Sequence, residues 1–245
     1  MKKHFGYILL VVVYTVVAVQ CRMNVLKGEG SKGQITNQPG VFENVEVGVP
    51  VKVVLNIGGN AAQGVEISGY NNVIKHITTV VKNNTLYVAT DLDKTWKFDD
   101  YDDVVVTISA PSIMSLNMSG AADALIHGNV AGKSFKMELS GASDVIIDSL
   151  NVDQFTSTVT GAADITINGG TVNVARYDIT GAGSVKAYKL KTNETHADIT
   201  GAGESELDAE QKLFAQISGA GTIKYKGHPS VSQNISGAGT LSDAN

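Results

Sequence analysis

Ser119-Gly120-Ala121-Ala122 returns as Ser140-Gly141-Ala142-Ser143 and Thr160-Gly161-Ala162-Ala163. It returns again as Thr180-Gly181-Ala182-Gly183 and Thr200-Gly201-Ala202-Gly203, and last as Ser218-Gly219-Ala220-Gly221 and Ser236-Gly237-Ala238-Gly239. The steps between copies are 21, 20, 20, 20, 18 and 18 residues, too regular for compositional chance. A fixed period of this length marks a solenoid, in which one short unit cannot bury its apolar side alone and stacks on its neighbours.

The columns around the motif define the unit. An apolar residue precedes each Ser/Thr: Met118, Leu139, Val159, Ile179, Ile199, Ile217 and Ile235. One step earlier stands a polar residue: Asn117, Glu138, Thr158, Asp178, Asp198, Gln216 and Asn234. After the motif the alternation resumes, as in Val145/Ile147, Ile165/Ile167, Val185/Ala187 and Ile223/Tyr225, with Ala124 and Ser205 as weak members. Period two is the mark of a half-buried strand. Each unit therefore predicts strand, sharp corner, strand and a looser return. The glycines at 120, 141, 161, 181, 201, 219 and 237 supply the corner, because glycine accepts φ > 0 without a Cβ clash. The alanines at 121, 142, 162, 182, 202, 220 and 238 read as inward-facing residues stacked in one core column. With coils about 4.8 Å apart, seven make a rod of roughly 30 Å. An antiparallel sandwich is the alternative, but it gives no reason for one alanine every 20 residues or so.

Working outward, residues 41–110 lack the motif but remain strand-like, above all in Val45, Val47, Val49, Val51, Val53, Leu55 and Ile57. Pro50 interrupts that run, which predicts an edge strand or a bulge. These residues read as irregular first coils or as a small antiparallel cap. No Pro/Ser-rich linker separates them from the repeats, which favours continuity. The expected fold is all-β: a single-stranded β-helix, or solenoid, of about 20-residue coils with a more irregular N-terminal part.

Composition agrees. The 245 residues hold 26 glycines and only 6% aromatics, with a net charge of -5. Phosphate binding needs clustered Lys and Arg. The only arginines are Arg22 and Arg176 and the lysines are scattered, so nucleic acid is not an expected partner.

Lys2 and Lys3 precede an apolar stretch from Phe5 to Val19. As a helix it would span about 22 Å, short of a bilayer core, so residues 1–21 read as a signal peptide. The lone Cys21 cannot form an internal disulfide. Val17-Ala18-Val19-Gln20-Cys21 resembles a bacterial lipobox, with Gln20 where a small residue is usual. The resemblance implies lipidation at Cys21; a chance cysteine in a cleaved signal is the alternative. Residues 22–40 then read as a flexible tether and 41–245 as the head domain.

Alternating strands leading to Ala110-Pro111 and then serial Ser/Thr-Gly-Ala-Gly corners resemble the autotransporter-adhesin head GIN domain family over roughly residues 41–240. The resemblance implies a β-helical fold and an outer-membrane, cell-surface or periplasm-facing location. It carries no binding residues.

Candidate chemistry is sparse. Asp123, Asp144 and Asp164 fall in one column, continued by Ser184, Glu204, Thr222 and Thr240. Stacked carboxylates invite Ca²⁺, or are simply solvated turn residues. Asp99-Asp100-Tyr101-Asp102-Asp103, after Trp96 and Phe98, reads as a solvated acidic loop with sugar binding as the alternative. A lyase would need a cation and a base, for which Arg176 with Asp178 and Asp164 is the nearest approach. Glycosidase carboxylate spacing follows from stacking alone and so carries little information. His4, His76, His127, His196 and His228 show no zinc spacing. The expectation is therefore a surface binding or structural module without catalysis, cofactor or metal, with a carbohydrate-active β-helix enzyme as the alternative. The expected partner is a glycan or a protein, membrane contact runs only through the lipid anchor, and exposed strand edges predict a homo-oligomer or capping by a partner.

Overall fold

The computed structural model describes residues 24–59, 62–93, 96–98 and 103–245, excluding the side chains of 96–98. The signal segment, Cys21 and residues 99–102 lie outside these. The described chain is almost wholly β, with one four-residue helix, Asn71–Ile74.

Parallel pairing in strict register builds the solenoid. On its first face, Leu116, Met137, Ser157, Tyr177, Ala197, Ala215 and Gln233 stack as one column. On the second face the column runs Ala124, Val145, Ile165, Val185, Ser205, Ile223 and Leu241. A shorter third stretch, 129–132 in the first of these coils, pairs with 149–152 and returns the chain to the first face. The two sequence-weak positions, Ala124 and Ser205, are buried.

Core volume is balanced between columns. Phe135 stacks on Phe155 at 6.0 Å and 7°, and Phe155 meets Tyr177 edge-on at 5.7 Å and 76°. Where the phenylalanine column shrinks to Ala175, the adjacent column grows from Ser157 to Tyr177. Large beside small keeps the interior dense. Burial and the neighbouring Asp208 carboxylate push the Tyr177 hydroxyl's pKa upward.

The corner departs from expectation in one respect. Gly181 has φ 127°, and a Cβ there would lie 2.3 Å from the Gly161 carbonyl oxygen. Glycine is thus required twice over, by backbone angle and by close approach. The alanines are in vertical register, with the Ala182 N–H donating to Gly161 O and the Ala202 N–H to Gly181 O, both at 2.9 Å. They do not face the core. From Ala142 to Ala238 they are exposed, and Ala121 is half-buried. The inward residue is the next one: Ala122, Ser143, Ala163, Gly183, Gly203 and Gly221 are buried. A Cβ on Gly183 would meet Ala163 O at 2.6 Å and Val159 Cγ1 at 2.8 Å. The shift has a simple cause: the corner glycine itself spends one step of the alternation, so inward facing falls three residues after the Ser/Thr.

Residues 44–57 form a further coil. Asn44–Val47 pairs in parallel with Ser115–Gly120 on one side and Thr85–Thr90 on the other. Lys52–Ile57 lies likewise between 123–128 and Val105–Ala110. Pro50 is therefore neither in an edge strand nor at a bulge. It occupies the bend between two strands of one coil, where its missing N–H costs no ladder bond. The outermost strands are antiparallel: Ile77–Lys82 on Thr85–Thr90, Gly64–Tyr70 on Val105–Ala110, and Lys32–Asn37 on Gly64–Tyr70. Both sequence readings of this region are thus present, coil and cap. The flexible tether expected at 22–40 is corrected: Lys32–Asn37 is a strand, and Ile35 packs against the core.

Candidate binding site

Side chains that point away from the core form columns of their own. On the first face one column runs Glu46, Asn117, Glu138, Thr158, Asp178, Asp198, Gln216 and Asn234. Beside it run Asn44, Ser115, Lys136, Thr156, Arg176, His196, Phe214 and Ser232. Parallel neighbours put successive members about 4.8 Å apart.

Two grooves lie on this face. One, of about 380 Å³, is lined by Glu46, Asn117, Ser119, Glu138, Thr158 and Thr160 among others. The other, of about 240 Å³, is lined by Arg176, Asp178, His196, Asp198, Phe214 and Gln216, with Asn234 at its end. In the second groove the His196 ring stacks on Phe214 at 4.6 Å and 20°. Gln216 Nε2 donates to Asp198 Oδ2 at 3.1 Å, and His196 Nε2 lies 2.8 Å from Glu194 Oε1. Lys212 Nζ pairs with Glu194 Oε2 at 3.1 Å. Hydrogen bonds from His196 and Lys212 lower the Glu194 pKa. Partial burial raises that of Asp178, and the Asp198 charge adds to this while Arg176 opposes it.

The second face carries the acidic column. Burial and the charges of Asp123 and Asp164 raise the Asp144 pKa. The column also ties coil to coil: the Asp144 N–H donates to Asp123 Oδ1 at 3.0 Å, and Ser184 Oγ to Asp164 Oδ1 at 2.7 Å. Lys224 bonds Glu204 at 2.5 Å. Among the described residues, no group of three or more His, Cys, Asp or Glu side chains is arranged to hold a metal ion.

The structure separates part of the lyase constellation. Arg176 and Asp178 share the first face, but Asp164 stands around the corner on the second, paired with Asp144 and Ser184. The corner residues Gly120, Gly141, Gly161, Gly181, Gly201, Gly219 and Gly237 shape the backbone, and their alanines line the ridge between two faces. Of the acidic run, Asp103 lies within the described residues and pairs with Lys32 at 2.5 Å. Sequence reasoning missed His196 and Phe214. The signal was present two positions before Asp198 and Gln216, where a column of Ser, Lys and Thr turns to Arg, His and Phe.

Among the described residues, no helix is long and apolar enough to cross a membrane. No curated protein matches the chain. Solved structures share its fold. A "putative adhesin" from Bacteroides fragilis superposes with a TM-score of 0.77 at 23% identity, covering 89% of this chain and 99% of that one. A "putative lipid binding protein" from Parabacteroides distasonis gives 0.72 at 18%, covering 91% and 100%. A "putative adhesin" from Parabacteroides merdae gives 0.64 at 20%, covering 91% and 100%. The model of the family described as "Putative auto-transporter adhesin, head GIN domain" matches residues 41–229. Spanning most of the chain and resting on the same stacked coils, that match identifies the protein as a member of the auto-transporter adhesin head GIN domain family, and so as an exported or surface protein of adhesin-like type.

Proposed function

We propose that this protein is a non-catalytic binding head, exported by its N-terminal signal and held at the outer membrane through a lipid on Cys21. The observation that carries the reading is the first face. Eight polar residues from Glu46 to Asn234 stand in unbroken register there, beside two shallow grooves. Coils locked by backbone ladders make a stiff rod. A stiff rod holds exposed side chains at a constant spacing, so an extended glycan or a protein surface meets many weak contacts at once. Asp198 on this face and Glu204 on the second accept coil-to-coil bonds, which suits display better than proton transfer.

The test applies the purified protein to glycan and extracellular-matrix protein arrays, alongside a polysaccharide-degradation screen. Saturable array binding without product release is expected; released oligosaccharide would replace this reading with the enzymatic one. For the anchor, cells fed an alkyne fatty acid should label the wild type and not Cys21→Ala. Unlabelled wild type would remove the anchor and leave the head intact.

A further inference from the structure

We infer that the last coil is a self-association surface, on which Ser230–Gly237 pairs antiparallel with the same strand of a second copy. The pairing joins two solenoids end to end about a two-fold axis at Gln233. It goes beyond the binding-head reading and does not depend on what the first face binds.

The two ends of the stack are finished differently. At the N-terminal end the outer strands Lys32–Asn37 and Ile77–Lys82 each carry a lysine, a charge that discourages further pairing. At the other end, among the described residues, Ser230–Gly237 pairs only with Lys212–Gly219, and Thr240–Asp243 only with Thr222–Lys226. Ser230–Gly237 holds no charge, no proline and no break in its register. Side chains that continue the core columns are left in water there, with Val231 38% and Ile235 37% exposed.

The backbone of that strand is ready for a partner. The Ser230 N–H donates to Gln211 O, toward the preceding coil. Backbone groups alternate sides along a strand, so those of Val231, Gln233 and Ile235 point to the open edge.

The side chains identify the partner. Ser230-Val231-Ser232-Gln233-Asn234-Ile235-Ser236 reads nearly alike in both directions about Gln233. Antiparallel pairing centred there sets Val231 opposite Ile235 of the second copy, Ser232 opposite Asn234, Ser230 opposite Ser236, and Gln233 opposite itself. β-Branched residues then meet on the core side, polar residues meet on the outside, and the edge-facing backbone groups meet one another. A two-fold interface requires such self-complementarity. A strand from a different protein gives no reason for it. The fold already closes one coil in this manner, where Gly64–Tyr70 lies antiparallel on Val105–Ala110.

One strand pair buries less than a standard interface, so the dimer should be weak, with a dissociation constant of about 10–100 μM. Sedimentation equilibrium of the purified full chain, in detergent that masks its N-terminal anchor, provides the test. Dilute protein should be monomeric, and a dimer with no larger species should form as concentration rises. Gln233→Pro removes an N–H that points away from the preceding coil. It should weaken the dimer about tenfold or more and, when dilute, melt with the wild type. Gln233→Cys should form an intermolecular disulfide under mild oxidation, because the Cα atoms of such a pair lie about 5.5 Å apart. The two copies of Ser230 lie about 20 Å apart in this register. Ser230→Cys should therefore cross-link no more than the wild type, whose only cysteine is Cys21. A monomer at every concentration up to about 1 mM would overturn the proposal. So would a dimer untouched by Gln233→Pro, or equal cross-linking from positions 230 and 233.

Discussion

Ile179 and Ile235 hold the same position in coils built from the same motif, yet one is buried and the other is 37% exposed. Among the described residues, the strand Gly170–Gly181 has a hydrogen-bonded neighbour on each side, whereas Ser230–Gly237 has one only on the side of Lys212–Gly219. At the opposite end of the stack the antiparallel strands Lys32–Asn37, Gly64–Tyr70 and Ile77–Lys82, with the short helix Asn71–Ile74, cover the core, and Ile67, Val73 and Ile74 are buried there. In a solenoid, then, a residue's contribution is set less by its own identity than by whether a coil lies above and below it. Stability is close to a sum of nearest-neighbour interfaces, and an outer coil has one interface where an inner coil has two.

The sharpest way to break this comparison is at an inner corner. Gly181→Val puts a branched side chain at φ 127°, with its Cβ 2.3 Å from the Gly161 oxygen. It should cost more than about 4 kcal/mol, enough to abolish the cooperative melt in circular dichroism. A folded Gly181→Val protein with a near-native melting temperature would show that the corners tolerate rearrangement.

The isoleucine pair tests the comparison itself. Ile179→Ala should destabilise by about 2–5 kcal/mol and Ile235→Ala by less than about 1 kcal/mol in urea titrations of dilute protein. Equal losses would mean that the last coil is covered in solution. Next in size, Gly183→Ala should cost about 1–3 kcal/mol by overpacking against the Ala163 carbonyl oxygen and Val159. The neighbouring Ala182→Ser, on the exposed ridge, should stay within about 0.5 kcal/mol. Reversal of that order would return the alanines to the core.

The smallest effect concerns charge. Asp144 has a raised pKa in the folded protein, through burial and the Asp123 and Asp164 carboxylates. Its folded form therefore holds a proton more tightly than its unfolded form. The stability this supplies is present in acid and is lost as pH rises from the ordinary aspartate value through the raised one. Asp144→Asn should accordingly raise the melting temperature slightly at pH 7 and not at pH 3. A gain at pH 3 that disappears at pH 7 would contradict the assignment.

Much of this architecture is legible in the residues. The motif spacing and the apolar columns at Met118–Ile217 and Val145–Ile223 follow from a period of two within a period of about 20, because strand geometry leaves no other way to bury them. The facing of the alanines is legible too once the alternation is counted through the corner: Leu139 and Val145 are an even number of residues apart, which sets Ser143 inward and Ala142 outward. The place of residues 44–57 was not legible. Their alternation announces strands, but their place between 85–110 and 115–128 arises from long-range pairing that no local pattern encodes.

The sequence by itself determined that the chain folds into repeating coils with an apolar inside and a polar outside, since periodicity is a property of order along the chain. Tertiary structure alone decided which polar columns share a face, setting Arg176 beside His196 and Phe214 and Asp164 on the other side of a corner. The physical reason is that side chains about 20 residues apart become neighbours only through stacking. The groove at Phe214 exists only where that stacking brings four successive coils together.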